Sequence, residues 1–450
     1  MQLHRILVVL KACGATALAL GALFWPGPWP AAADPGDTVA DRVFGQTNFT
    51  SNICSLAAVS ASTLCPPVAT ALDGAGNLYV ADRDSNRVLQ YNSPLTTDAT
   101  ADRVFGQPNF TSMLCNQGAA SPSASSLCAP LGVALDGAGN LYVADNNNGR
   151  VLEYNSPLTT DAVADRVFGQ GGSFTTGTCN LGGISASSLC GPVGVALDGA
   201  GNLYVADGNS RVLEFNSPLT TDAVADRVFG QGGSFTSGTC NLGGISANSL
   251  CFPQGLALDG TGNLYVAEGN NSRVLEYNSP LTTDAVADRV FGQGGSFTSN
   301  TCNLGGISAS SLCVPYGVAL DSGGNLYVGD TNNVRVLEYN NPLTTDVIAD
   351  RVFGQAGSFT TAACNQLSAS SLCQPRGVAL DGAGNLYVAD YANNRVLEYD
   401  SPLAPVGGLA GAPDVVAQSS WSSWPPALAL AALAVVALTG VALAATRRRT

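Results

Sequence analysis

Asp390, Asn393 and Arg395 stand close together in this chain, and an acid followed four or five residues later by an arginine recurs six times. The acids are Asp82, Asp145, Asp207, Glu268, Asp330 and Asp390; the arginines are Arg87, Arg150, Arg211, Arg273, Arg335 and Arg395. Carboxylates beside amide oxygens can bind calcium, which takes six to eight oxygen ligands. Asp82-Arg83-Asp84-Ser85-Asn86 has the start of such a loop, but no acid closes it at the expected distance. The arrangement therefore reads as an ion pair bracing each repeated unit. Structural calcium is the lesser alternative, and no other cofactor is expected.

Sulfur is the second recurring chemistry. Twelve of the thirteen cysteines come as one pair per repeat: Cys54/Cys65, Cys115/Cys128, Cys179/Cys190, Cys240/Cys251, Cys302/Cys313 and Cys364/Cys373. Even number, regular pairing and the export signal described below predict disulfides. Local pairing is favoured because each repeat brings its own two cysteines. Each bond would close a short loop, contributing about 2–3 kcal/mol on a chain-entropy argument. A metal centre fits less well, since no Cys-x-x-Cys occurs and tetrahedral zinc sites favour such spacings.

The remaining inventory excludes whole classes of reaction. The single histidine is His4 and the single lysine is Lys11, both near the N-terminus. Beyond residue 33 there is no histidine base, no Ser-His-Asp arrangement and no Schiff-base lysine. Residues 34–446 carry 14 arginines against 33 acids, a balance of −19. Such a surface repels phosphate backbones, so no nucleic-acid partner is expected. Twelve of those arginines occupy repeat positions; only Arg83 and Arg376 do not.

The elements that must position these groups are themselves repeated. Gly-Asn-Leu-Tyr-Val-Ala-Asp or a near copy starts at Gly76, Gly139, Gly201, Gly262, Gly324 and Gly384, a period of 60 to 63 residues. Each repeat offers four β-type runs. In the third they are 194–198, 202–207, 211–215 and 226–231. Apolar residues alternate along them, and Asp198-Gly199-Ala200-Gly201-Asn202 is a tight-turn signature. Four antiparallel strands in each of six repeats predict an all-β, six-bladed β-propeller.

The motif resembles the NHL repeat. Pro192-x-Gly194-Val195-Ala196-Leu197-Asp198, Gly201-Asn202-Leu203-Tyr204-Val205-Ala206-Asp207 and Asn209-x-Arg211-Val212 carry the likeness, which extends over residues 37–400. Departures are Ala69 where a glycine stands in the other copies, Glu268 for aspartate and Gly329 for alanine. Residues 41–46 read as an outer strand with no blade before it, and the last repeat lacks its fourth strand. Ring closure by the N-terminal strand follows, and it would remove the exposed edges.

Antiparallel order sorts the connections between two faces. Asp-Gly-Ala-Gly turns and Asn-Ser-Pro-Leu-Thr-Thr-Asp loops fall on one, nearly invariant. The disulfide loops and the variable loops between second and third strands fall on the other. A site for one ligand must break sixfold symmetry. Non-repeated polar and aromatic residues on the disulfide-loop face are Arg83, Asp84, Phe252, Gln254, Tyr316, Gln374, Arg376 and Tyr391. They are the candidate ligand contacts, for an anionic or sugar-like ligand; no catalytic or metal-binding residue is assigned.

The ends predict placement. His4 and Arg5, the apolar run 6–25, Pro26, Pro28 and Pro30, then Ala31-Ala32-Ala33 form the layout of a signal peptide over 1–33. A linker over 401–424 leads to a transmembrane helix over 425–446, about 20 apolar residues long, with Trp421 and Trp424 before it. Arg447, Arg448 and Arg449 mark 447–450 as a cytoplasmic tail. The expectation is a single-pass protein of the cell surface with its C-terminus inside. Its propeller would bind a protein or carbohydrate partner. The resemblance also implies an alternative: some extracellular six-bladed propellers are lyases or metal-dependent lactonases, including calcium-dependent hydrolases. The amidating lyases among them use histidine-bound zinc, which this chain cannot supply.

Overall fold

A computed structural model describes residues 37–54, 58–220, 223–364 and 366–402. They form six four-stranded antiparallel sheets. Blade 1 consists of Pro67–Leu72, Leu78–Asp82, Arg87–Tyr91 and Arg103–Phe105, from the axis outward. Blades 2 to 5 repeat this order and begin at Pro130, Val195, Pro253 and Pro315. Blade 6 takes its inner three strands from Pro375–Leu380, Leu386–Asp390 and Arg395–Tyr399. Its outer strand is Arg42–Phe44, with Val43 opposite Leu397. The ring closes as the unpaired strand 41–46 predicts.

Alternation along the strands creates six cores, each between two blades. In blade 3, Val195, Leu203, Val205 and Leu213 face blade 2, where Tyr142, Ala144, Val151 and Phe168 meet them. Ala196, Tyr204, Ala206 and Val212 face blade 4 instead. Each blade is thus buried on two apolar faces, successive side chains pointing to opposite neighbours. An outer-strand phenylalanine meets the third-strand aromatic of the next blade edge-on, as in Phe229 with Tyr277 at 5.3 Å. Phe44 with Tyr91 at 5.5 Å repeats the contact across the closure.

The invariant face is held by its turns. Asp136 Oδ1 accepts the amides of Ala138 and Asn140, both at 2.9 Å, and Asn140 Oδ1 accepts Ser156 N–H at 2.9 Å. At the axis the inner strands approach too closely for a side chain. A Cβ on Gly194 would lie 2.1 Å from the Gln254 carbonyl oxygen. At Gly329 in the second strand of blade 5, where the other blades carry alanine, a Cβ would lie 2.5 Å from Arg376 O of blade 6.

Outer strands are shorter than the sequence pattern predicts. In the third repeat the strand is Arg227–Phe229, not 226–231. Gly230 turns the chain at φ +78°, and Gln231 leaves the sheet to act as a clamp. Its Nε2 donates to Ser210 O at 2.7 Å and Thr239 O at 2.9 Å.

Among the described residues no helix is long and apolar enough to cross a membrane. The segments read as signal peptide (1–33), transmembrane helix (425–446) and tail (447–450) lie outside the described residues, as does the linker beyond Pro402.

Candidate functional site: the mouth of the ring on the disulfide-loop face

The recurring acid and arginine meet as fully buried ion pairs in every blade. In blade 2, Arg150 Nε donates to Asp145 Oδ2 at 2.8 Å. Its NH2 reaches Ser123 O and Ser126 O, both at 2.9 Å, and its NH1 reaches Phe174 O at 2.6 Å. Asp145 also accepts Cys128 N–H at 2.7 Å and Asn148 Nδ2 at 2.8 Å. One guanidinium therefore ties its own blade to the loops entering and leaving it. In blade 6 the NH1 partner is Phe49 O at 2.5 Å, so the brace also fastens the ring closure. Glu268 substitutes for aspartate without loss of the pair: Arg273 Nε reaches it at 2.5 Å. Asp390, Asn393 and Arg395 join in this brace, with Asn393 Nδ2 2.8 Å and Arg395 Nε 2.7 Å from Asp390 Oδ2.

All six predicted cysteine pairs are bonded: Cys54–Cys65, Cys115–Cys128, Cys179–Cys190, Cys240–Cys251, Cys302–Cys313 and Cys364–Cys373. Such bonds fit an oxidising compartment. Among the described residues no group of three or more His, Cys, Asp or Glu is placed to hold a metal ion.

Where symmetry breaks, the structure gathers part of the predicted set. The residues after the inner-strand prolines ring the mouth: Val68, Leu131, Val193, Gln254, Tyr316 and Arg376. Blades 1 to 3 contribute apolar side chains and blades 4 to 6 polar ones. Below them an axial cavity of about 60 Å³ is lined by inner-strand Val, Leu and Gly residues with Thr70, Gln254 and Tyr316. That volume holds a few waters and is too small for a sugar ring.

Five of the eight candidates form one contact cluster. The Arg376 guanidinium lies 3.5 Å from the Tyr391 ring centroid and 5.0 Å from that of Tyr316. Arg83, brought beside blade 6 by ring closure, donates NH1 to the Tyr391 hydroxyl at 3.3 Å. Asp84 lies 3.4 Å from Arg83 NH1, both side chains partly exposed. Burial pushes the Tyr316 hydroxyl up to about 12, against the pull of Arg376, so it is neutral at physiological pH. Gln254 joins the mouth from blade 4, its Nε2 3.4 Å from Phe252 O. Phe252 and Gln374 stand outside the cluster. Both are exposed and hold left-handed backbone, φ +52° and +51°, where the chain drops from a disulfide loop into an inner strand.

Sequence reasoning missed two polar features. Thr70 occupies an inner-strand position that is Val or Leu in the other blades, and its buried Oγ1 has no hydrogen-bond partner. The third-strand glutamates Glu153, Glu214, Glu276 and Glu338 are fully buried with neither carboxyl oxygen hydrogen-bonded; Glu398 is equally buried, with Arg42 Nε 3.9 Å from its Oε2. Burial pushes Glu153 up to about 7, the Asp165 charge adds to this, and Arg166 opposes it. Glu214, Glu276 and Glu338 stand likewise at about 7, and Glu398 at about 9 beside Asp400. Gln90 holds this position in blade 1. Glu153 stands two residues from the buried Val151, on the same strand face, and that spacing was a signal that the acid is buried.

Fold and repeat together define the class: a six-bladed β-propeller that carries NHL repeats. The NHL repeat family model matches residues 127–154, 250–277, 312–339 and 372–399. No curated protein matches the chain. Among solved structures it is similar to a structural-genomics protein from Bacteroides thetaiotaomicron at 16% identity and TM-score 0.48, covering 82% of this chain and 75% of that one. A gluconolactonase from Xanthomonas campestris gives 13% identity, TM-score 0.44 and coverage of 80% and 97%. A streptogramin B lyase gives 10% identity, TM-score 0.40 and coverage of 79% and 96%.

Proposed function

We propose that this protein is an extracytoplasmic interaction platform. In this reading a disulfide-braced propeller, anchored by the apolar segment 427–446 with its C-terminus inside, binds a protein or glycan partner through its disulfide-loop face. One observation carries the reading. The repeat arginines brace the scaffold, whereas the departures Gln254, Tyr316, Arg376, Tyr391 and Arg83 gather at one mouth. Exposed Leu181, Leu242 and Leu304 on the disulfide loops add apolar contact area on the same face. Binding sites are concave and largely apolar with a few placed polar groups, and this mouth has that composition.

Binding of the full chain to a glycan array and to surface proteins is the test. Phe252→Glu and Tyr391→Ala should abolish capture, while Thr159→Glu on the opposite face should not. Capture insensitive to both mouth substitutions would refute the reading. For the anchor, the full chain should stay with membranes after alkaline washing, and a chain stopped at Pro402 should be released.

A further inference from the structure

Resting on that reading, we propose that Arg83, Arg376 and Tyr391 form a carboxylate-recognition subsite whose ligand is an acidic saccharide bearing a uronate. Arg376 is a cation without a counter-charge: among the described residues no carboxylate forms an ion pair with it, and its buried Nε has no hydrogen-bond partner. Its guanidinium is stacked 3.5 Å from the Tyr391 ring centroid, with Tyr316 at 5.0 Å. Stacking of this kind fixes the plane of the fork and leaves its edge to meet a carboxylate in two parallel hydrogen bonds. Arg83 is tethered to the same Tyr391 through the hydroxyl. Its ion pair with Asp84 is partly exposed and 3.4 Å long, a weak competitor that a ligand can displace.

The saccharide follows from the rest of the mouth. Leu131 and Val193 offer an apolar surface opposite the cations, and Gln254 and the Tyr316 hydroxyl offer hydrogen bonds between them. A pyranose uronate has one apolar face, a ring of hydroxyls and one carboxylate, matching that order. The protein's net charge of −14 opposes anions at long range, but physiological salt screens it beyond about 8 Å. At the subsite the two arginines prevail.

The experiment is calorimetric titration of the full chain with tetragalacturonate, with maltotetraose as the neutral probe and tetraglutamate as a peptide source of carboxylates. Tetragalacturonate should bind, maltotetraose should not, and tetraglutamate should bind about tenfold more weakly or worse. Arg376→Lys keeps the charge but loses the fork, and should weaken binding about tenfold. Arg83→Gln should also weaken it, and this partly exposed side chain can change without harm to the fold, so it carries the test if the Arg376 variant misfolds. Asp84→Asn frees Arg83 and should tighten binding. Absence of tetragalacturonate binding, indifference to both arginine substitutions, or preference for tetraglutamate would each overturn the proposal. If the uronate fails while another partner still binds in a manner blocked by Phe252→Glu, the subsite is wrong and the platform stands. If no binding responds to any mouth substitution, both fall.

Discussion

Arg150 and Arg83 carry the same charge under opposite conditions. Arg150 is fully buried with its pair, and four oxygens accept its hydrogen bonds; Arg83 sits at the surface. Removing one partner of a buried pair strands the other charge and costs about 3–5 kcal/mol. Arg150→Met should lower the urea midpoint accordingly, whereas Arg83→Gln should change stability by less than about 1 kcal/mol. Equal midpoints would contradict the brace. The third-strand glutamates give the pH dependence. Their folded values, about 7 in four blades, lie above the ordinary value of about 4.3. The folded state therefore holds these protons more tightly than the unfolded chain. Stability from this source is full in acid, declines as pH rises from about 4.3 through 7, and is lost above. Urea midpoints measured from pH 5 to 8 should fall, and Glu214→Gln should raise the midpoint at pH 8 and flatten the slope. A flat wild-type profile would contradict it. The brace was legible because acid and arginine recur in register. Repeat register and ring closure put Arg83, Arg376 and Tyr391 side by side, but the stacking of Arg376 on the rings was not legible, since it depends on side-chain rotamers that no spacing fixes.

The disulfide loop and the inner strand behave as separate elements. The loop ends where Asp207 accepts Cys190 N–H at 2.8 Å, a bond that does not involve the sulfurs. Replacing Cys179 and Cys190 with serine should lose about 2–3 kcal/mol and leave the circular dichroism spectrum unchanged, because Arg211 still pins the loop through Ser188 O at 2.8 Å. Spectral collapse would show that the bond, not the guanidinium, shapes the loop. The inner strand is less forgiving. Gly194→Ala drives a Cβ into the neighbouring blade's carbonyl, while Gly199→Ala meets open space. The first should destabilise by about 1–3 kcal/mol or more and the second should leave the unfolding midpoint near that of the wild type. Strand existence and order were legible from alternation and turn residues. Outer-strand length was not, because the glutamine that ends it looks like one more strand residue until its clamp bonds are seen.

At the scale of the molecule, the decisive contact is the pairing of Arg42–Phe44 with Arg395–Tyr399. The sequence disclosed it through arithmetic alone, one orphan strand at the start and one missing at the end. Val43→Pro should break the pairing and free the edge of blade 6. An open strand edge templates association, so the variant should elute as dimers and larger species where the wild type elutes as one form. Unchanged elution and unchanged unfolding would contradict closure.

The same pairing imposes a timetable on the chain. Every other blade is built from consecutive residues and can form as soon as its own sequence has emerged. Blade 6 needs Glu398 beside Arg42, a contact across almost the whole propeller, and contacts that distant form slowly. The first strand made is therefore the last to find its place. During synthesis it stays without its partner strand while five complete blades accumulate behind it. Chaperones that shield lone β-strands have their longest opportunity at Arg42–Phe44, and a stalled or shortened chain would present that strand as its most reactive edge.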